Sequence, residues 1–379
     1  LHSDPGQLPA ENGNYDRQFL SGRQRRFLNY VRSQAGSTLW VSLGMLLYVV
    51  AIAALCDAAA LPGDFHAGIY AVAFLEMYVL FSVTIFAILL LRHHTGRSDQ
   101  PLLWFDRTWH PREFLDRLAG ALPILLVMPF FKAAFTAAKN LANDMFAFAW
   151  DRTLSDLDKV LHFGSHPWQW LFIPAPAVTL GLEFFYAFWG VALVVIPYAV
   201  SLRRPGCPWR TQFLVSYVLV FLLLGNVVAS AFMSAGPFWV ENHHPGRSDY
   251  SALFSYLSQV DSVWRFSAVK FQHYLIVTHN EALSSLGTGI SAFPSIHVAI
   301  ATLYALVGWR ISRFARVVSL AFLATILVGS IHLGWHYSLD GYASIIGTCA
   351  IYRAVGWALR RGAPLLRDRR PTGNPAAVG

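Results

Sequence analysis

The sequence predicts an all-α integral membrane protein with about eight transmembrane helices. Three observations predict it. Hydrophobic residues make up 55% of the 379 and charged residues only 13%, whereas soluble proteins carry roughly 25% charged residues. Apolar runs recur at lengths that suit a hydrocarbon core about 30 Å thick, which takes about 20 helical residues to cross. Basic residues gather in alternate loops, the pattern left by cationic segments that stay on the cytoplasmic side.

The apolar segments fall at 38–55, 69–91, 118–138, 176–200, 211–233, 292–309, 315–332 and 338–357. The third carries Pro123, Pro129 and Lys132, which suggests a kinked or re-entrant segment. Most of the 29 basic residues lie at 17–32, 92–117, 203–210, 310–316 and 353–370. Lys139, Arg152, Lys159, Arg247, Arg265 and Lys270 fall in the loops between. This alternation puts both ends on the cytoplasmic side and leaves two long outer loops, 139–175 and 234–291. In the first, DRTLSDLDKVLHFG reads as a short interfacial helix.

Other classes are excluded by the same features. The net charge of +8 sits in short clusters between apolar runs, so it reads as membrane topology and not as a nucleic-acid footprint. Cys56, Cys207 and Cys349 are odd in number and have no partners at ligand spacing, which argues against a disulfide framework or a zinc site. The polar residues 1–37 contain no short apolar core with a cleavage site, so the first apolar run is expected to be an uncleaved anchor. Within the spans, Glu76 and Lys132 are a candidate ion pair, and Asn226 is a candidate interhelical hydrogen bonder. Glu183 and Tyr186 suit packing or the lining of a site.

Two stretches carry chemistry: SAFPSIHVA at 291–299 and GSIHLGWHYSLDGYA at 329–343. Pro294, Ser295 and His297 stand where the sixth apolar segment begins, and proline suits a helix start. Free backbone N–H groups and the positive dipole end there attract phosphate. His336 and Asp340 are four apart and share one helical face. The carboxylate can accept from one ring nitrogen and leave the other as a nucleophile. The charge pattern puts His297 and His336 at the same, outer, membrane face.

These stretches resemble the second and third signature motifs of the type-2 phosphatidic acid phosphatase superfamily. Pro294, Ser295 and His297 match its P-S-G-H, with Ile296 in the glycine position; His336 and Asp340 match the end of its S-R-x5-H-x3-D. The A-F-P-S-I-H and H-Y-x-x-D forms more closely resemble the inositol phosphorylceramide synthase, or inositolphosphotransferase, branch. The resemblance implies a six-helix catalytic core and a two-step reaction without a metal or other cofactor. His336 would become phosphorylated, Asp340 would hold its ring, and His297 would act as general acid and then base. The substrate would be a lipid phosphate and the acceptor water or an alcohol headgroup.

The departures bear on phosphate binding. The family's first motif, K-x6-R-P, is absent; SAGPFWV stands in its place, with Gly236 and Pro237 as candidate substrate contacts. Ser330 stands where the third motif has arginine. Arg247 and Lys270, with His243 and His244 nearby, are candidate replacements, together with backbone N–H groups at Ser295. The expected organisation is a cytoplasmic segment at 1–37, accessory helices at 38–138, a catalytic membrane core at 139–357 and a basic tail at 358–379. Arg-rich, Lys-poor usage suggests a GC-rich bacterium, with the protein in its inner membrane and the site facing the periplasm. The competing reading is a transporter or scaffold that keeps the fold without catalysis; the lack of an internal repeat and the position of the candidate residues near one surface weigh against it.

Overall fold

The computed structural model describes residues 22–59, 65–95, 111–204, 207–246, 248–265, 267–281, 283 and 285–361. The beginning of the segment expected at 1–37, the end of the tail expected at 358–379, and Arg247 lie outside them.

The first helices are α1 (Gly22–Ala58), α2 (Ala67–His94) and α3 (Pro111–Met145). They are followed by the short α4 (Asp151–Leu161) and α5 (Pro167–Leu171), then α6 (Pro176–Ser201). Next, α7 (Pro208–Leu219) continues as a π-helical segment, Val220–Val228, and ends in the single turn α8 (Ala229–Ala231). The expected outer loop at 234–291 folds into α9 (Pro237–His243), α10 (Ser251–Trp264) and α11 (Ser267–Asn280). The last three helices are α12 (Ile296–Ile311), α13 (Arg313–His332) and α14 (Ser338–Arg360). Proline in the first turn opens α6, α7 and α9, where its missing N–H costs no helical bond. The side chains of Ser295 and Ser312 cap α12 and α13 by accepting from Val298 N and Ala315 N.

Six helices are long and apolar enough to cross a membrane. They include the third expected span, which is a single helix despite Pro123 and Pro129. The other two expected spans are α12 and α14. At 16 residues, α12 reaches only about 24 Å. It packs against α7, α13 and α14, and its residues from Val298 to Thr302 are all buried. A helix surrounded by protein need not match the thickness of the lipid. The surface helices show the reverse: Leu75, Leu80 and Val83 of α2 and Val317 of α13 are exposed, as lipid-facing residues are.

Two apolar clusters build the interior. One joins α1, α3, α6, α7 and α12 through residues such as Met45, Phe131, Phe213 and Leu303. The other joins α4 and α9–α11 to α12–α14 through Leu154, Phe238, Leu253, Val298 and Tyr337. Asn226 bonds across helices as expected, accepting from the Tyr48 hydroxyl at 2.7 Å. The expected Glu76–Lys132 pair does not form. Glu76 is exposed, whereas Lys132 is buried against the rings of Phe221 and Tyr217, its ammonium with no hydrogen-bond partner among the described residues. Helix α3 also runs through the 138/139 boundary expected between accessory and catalytic parts.

Candidate active site

His336 lies in the short link between α13 and α14, and Asp340 sits in the first turn of α14. The His336 Nδ1 to Asp340 Oδ2 distance is 3.2 Å, and the same oxygen accepts from Tyr337 N–H at 3.1 Å. Asp340 is fully buried, so its carboxylate is fixed by these bonds and not by water. With Nδ1 engaged, Nε2 is the ring nitrogen left to react. His297, in the first turn of α12, brings its ring centroid to 5.9 Å from that of His336. The two motifs are also joined through the backbone, since Ser295 N–H donates to the carbonyl of Asp340 at 3.2 Å.

Helix α6 fixes the His297 ring. Tyr186 stacks on it at 4.5 Å and 20°, and Trp189 lies against it at 4.1 Å. Trp189 Nε1 donates to the carbonyl of His297 at 3.1 Å. The Tyr186 hydroxyl is buried without a hydrogen-bond partner among the described residues. From the sequence Tyr186 is expected to suit packing or the lining of a site, whereas Trp189 carries no signal beyond that of an interfacial aromatic.

Helix α4 fixes the His336 side. Asp151 and Asp158 are seven residues apart, so both point the same way. Asp158 accepts from the Ser338 hydroxyl and from Leu339 N–H at 3.3 Å, a carboxylate at the N-terminus of α14 where the helix dipole favours it. Asp151 accepts from Ala235 N–H at 2.9 Å, Gly236 N–H at 2.8 Å and the Tyr337 hydroxyl at 3.1 Å. Burial raises the Asp151 carboxyl above its usual range, and the three hydrogen bonds work against that rise. Gly236 has φ +94, and a Cβ there would meet Trp335 O at 2.5 Å. Only glycine fits.

A cavity of about 880 Å³ opens beside the two histidines. Its wall includes His297, His336, Tyr186, Trp335, Lys139 and Lys270. Glu183 also lines it, while accepting from Ala268 N–H at 3.0 Å. The other expected contacts are placed differently. Ser295 is fully buried, with its hydroxyl engaged by Val298 N at 3.4 Å. Gly236 N–H is taken by Asp151, and Pro237 is buried. Lys270 is exposed and donates to the Arg265 carbonyl at 3.0 Å. His243 and His244 are exposed away from the cavity wall. Ser330 turns its hydroxyl onto the Leu327 carbonyl of its own helix. Its carbonyl receives the backbone N–H groups of Trp335 and His336, fixing the turn that presents the His336 ring.

Residues 152–354 match the family model described as the PAP2 superfamily, a family of membrane-type phosphatases. No curated protein and no solved structure matches the chain.

Proposed function

The chain belongs to the PAP2 superfamily, and from that premise we propose that it is a lipid-phosphate phosphohydrolase or phosphotransferase that works through a phosphohistidine at His336. The observation that carries this reading is the His336–Asp340 bond at 3.2 Å with the His297 ring centroid 5.9 Å away, on the wall of a large cavity. That spacing admits one phosphate between the rings, with reacting atoms at near-attack contacts of about 3–3.5 Å.

In the first step His336 Nε2 attacks phosphorus as the bond to the leaving oxygen breaks. His297 gives that oxygen a proton, so the lipid leaves as a neutral alcohol. Asp340 holds the imidazolium that forms. In the second step His297 takes a proton from the acceptor hydroxyl, whose oxygen displaces the phosphoryl group and restores His336. Water as acceptor gives free phosphate; an alcohol gives a new phosphodiester when the transferred group is itself a phosphomonoester of the headgroup.

The H-Y-x-x-D form at 336–340 favours transfer to an alcohol, as in the inositolphosphotransferase branch. The charge pattern of the loops favours a non-cytoplasmic site, which in a bacterial inner membrane faces the periplasm. Purified full-length chain incubated with labelled phosphatidic acid and phosphatidylinositol, with and without inositol or glycerol, tests the reading. Acid-labile label on His336 together with product release supports it. Turnover that survives His336→Ala removes it, and free phosphate as the sole product under every acceptor removes the transfer branch.

A further inference from the structure

A phosphate group entering an apolar cavity needs a positive charge beside it, because an unpaired anion out of water is costly. The positions at which the family pattern holds cations do not supply one here. Ser330 is buried and bonded within its helix, and the loop at Gly236 is bonded to Asp151. Of the lysines on the cavity wall, Lys270 is exposed and tied to the Arg265 carbonyl. Lys132 lies two helical turns deeper on α3 against aromatic rings. Lys139 remains. It shares the wall with His297 and His336, and it is a charged neighbour of His297. Among the described residues its ammonium has no hydrogen-bond acceptor or carboxylate partner, only the Phe135 ring at 6.0 Å.

The base of Lys139 is held in register with the catalytic motif. Asn143 and Ile290 exchange two hydrogen bonds at 2.6 Å, and Asn140 Nδ2 donates to Thr288 Oγ1 at 3.1 Å. Between them Gly289 has φ +82, and a Cβ there would stand 2.8 Å from Lys139 Cβ. The strand of chain at 288–291 leads directly to Ser295 and His297, so the outer end of α3 and the start of α12 are locked together. From α2, the Tyr70 hydroxyl accepts from Gly287 N–H at 3.0 Å and adds to the same lock.

We infer that Lys139, on a helix that precedes the family-matched residues, binds the substrate phosphate between the two histidines. The inference rests on the proposed phosphohistidine reading and names the cation which that reading lacks. Such a charge acts on the phosphate in the ground state and in the transition state alike, so its loss appears mainly in KM. A charge-assisted hydrogen bond of this kind is worth about 10- to 100-fold in kcat/KM.

The test uses full-length chain in detergent micelles with inorganic orthovanadate as the phosphate probe and thermal melting as the readout. Orthovanadate is expected to raise the melting temperature of the wild type and of Lys139→Arg, but not of Lys139→Gln. Equal stabilisation of Lys139→Gln overturns the inference and leaves the phosphohistidine reading standing. No stabilisation of the wild type overturns both. Should Lys139→Gln melt lower without ligand, the wild type decides: orthovanadate is expected to protect Lys139 from acetylation by an amine-reactive ester, read by mass spectrometry. Equal labelling with and without orthovanadate overturns the inference.

Discussion

The Asp158 carboxylate on α4 and the Ser338 hydroxyl at the start of α14 are hydrogen-bonded, two residues from the proposed nucleophile. The same carboxylate receives Leu339 N–H. Asp158 is not on the cavity wall; it positions the turn that carries His336. Asp158→Ala leaves these donors buried without an acceptor, at a cost of about 1–3 kcal/mol. The expected outcome is a lower melting temperature and a kcat reduced about tenfold with KM nearly unchanged, while Asp158→Asn recovers part of both. Steady-state kinetics beside thermal melting checks it; a change confined to KM would contradict the positioning role.

Removing the proposed reacting groups has a different signature. His336→Ala is expected to abolish turnover and phosphoenzyme labelling with the fold intact. His297→Ala removes the general acid and is expected to lower kcat by about 10²–10⁴. Asp340→Asn keeps the size of the side chain but replaces the carboxylate that orients Nδ1, and a loss of similar order is expected. Rapid-quench labelling separates these: His297→Ala lowers the rate of labelling, whereas His336→Ala shows no label at any time.

Gly236→Ala is expected to destabilise the protein more than any ordinary surface change. The residue's φ of +94 and ψ of 173 belong to a region reserved almost wholly for glycine, at a cost of order 1–3 kcal/mol for other residues. The contact with Trp335 O adds to this, and it displaces the segment beside His336. A melting curve close to wild type would show that the turn relaxes freely.

Acid stability is expected to depend on His166. Burial holds its imidazole below the ordinary 6.5, although Asp249 bonds to Nε2 at 3.2 Å and opposes the shift. Lys159 and Asp158 act on the same ring, and the Tyr250 hydroxyl lies 3.0 Å from Nδ1. Because the folded value is lowered, the unfolded chain takes up the proton first as pH falls below 6.5, and stability drops through the window between 6.5 and the folded value. Asp249 is held low by Lys159, so its contribution is lost only at more acid pH, from about 3.8 downward. Melting temperatures measured from pH 7.5 to 5 are expected to fall for the wild type and to vary less for His166→Gln. Parallel curves would assign the acid loss elsewhere.

The proposed triad was legible in the sequence because His297, His336 and Asp340 lie in two short motifs whose spacing has a chemical meaning. Their supports were not. Asp151 and Asp158 look in sequence like the polar face of an interfacial helix; their role depends on α4 lying across the start of α14. Tyr186 suits packing or the lining of a site in sequence, but its stacking on His297, like the contact of Trp189, depends on α6 packing beside α12. Lys132 looked like the partner of an intramembrane acid, but hydropathy does not report which way a helix faces, and Glu76 turns outward. Helices α10 and α11, at 14 residues each, are too short to register as spans, so 234–291 read as a loop.

The reciprocal bonds between Asn143 and Ile290 have a bearing on how this enzyme can be taken apart. A truncated chain that starts at residue 152 would forfeit Asp151, Lys139 and both asparagines at one stroke. Chimeras that graft the front helices of another family member onto 152–354 would succeed only if the graft brought its own match for Ile290. Helix α3 is therefore not ballast that can be exchanged at will, and domain-swapping experiments should cut ahead of Pro111 rather than behind Met145.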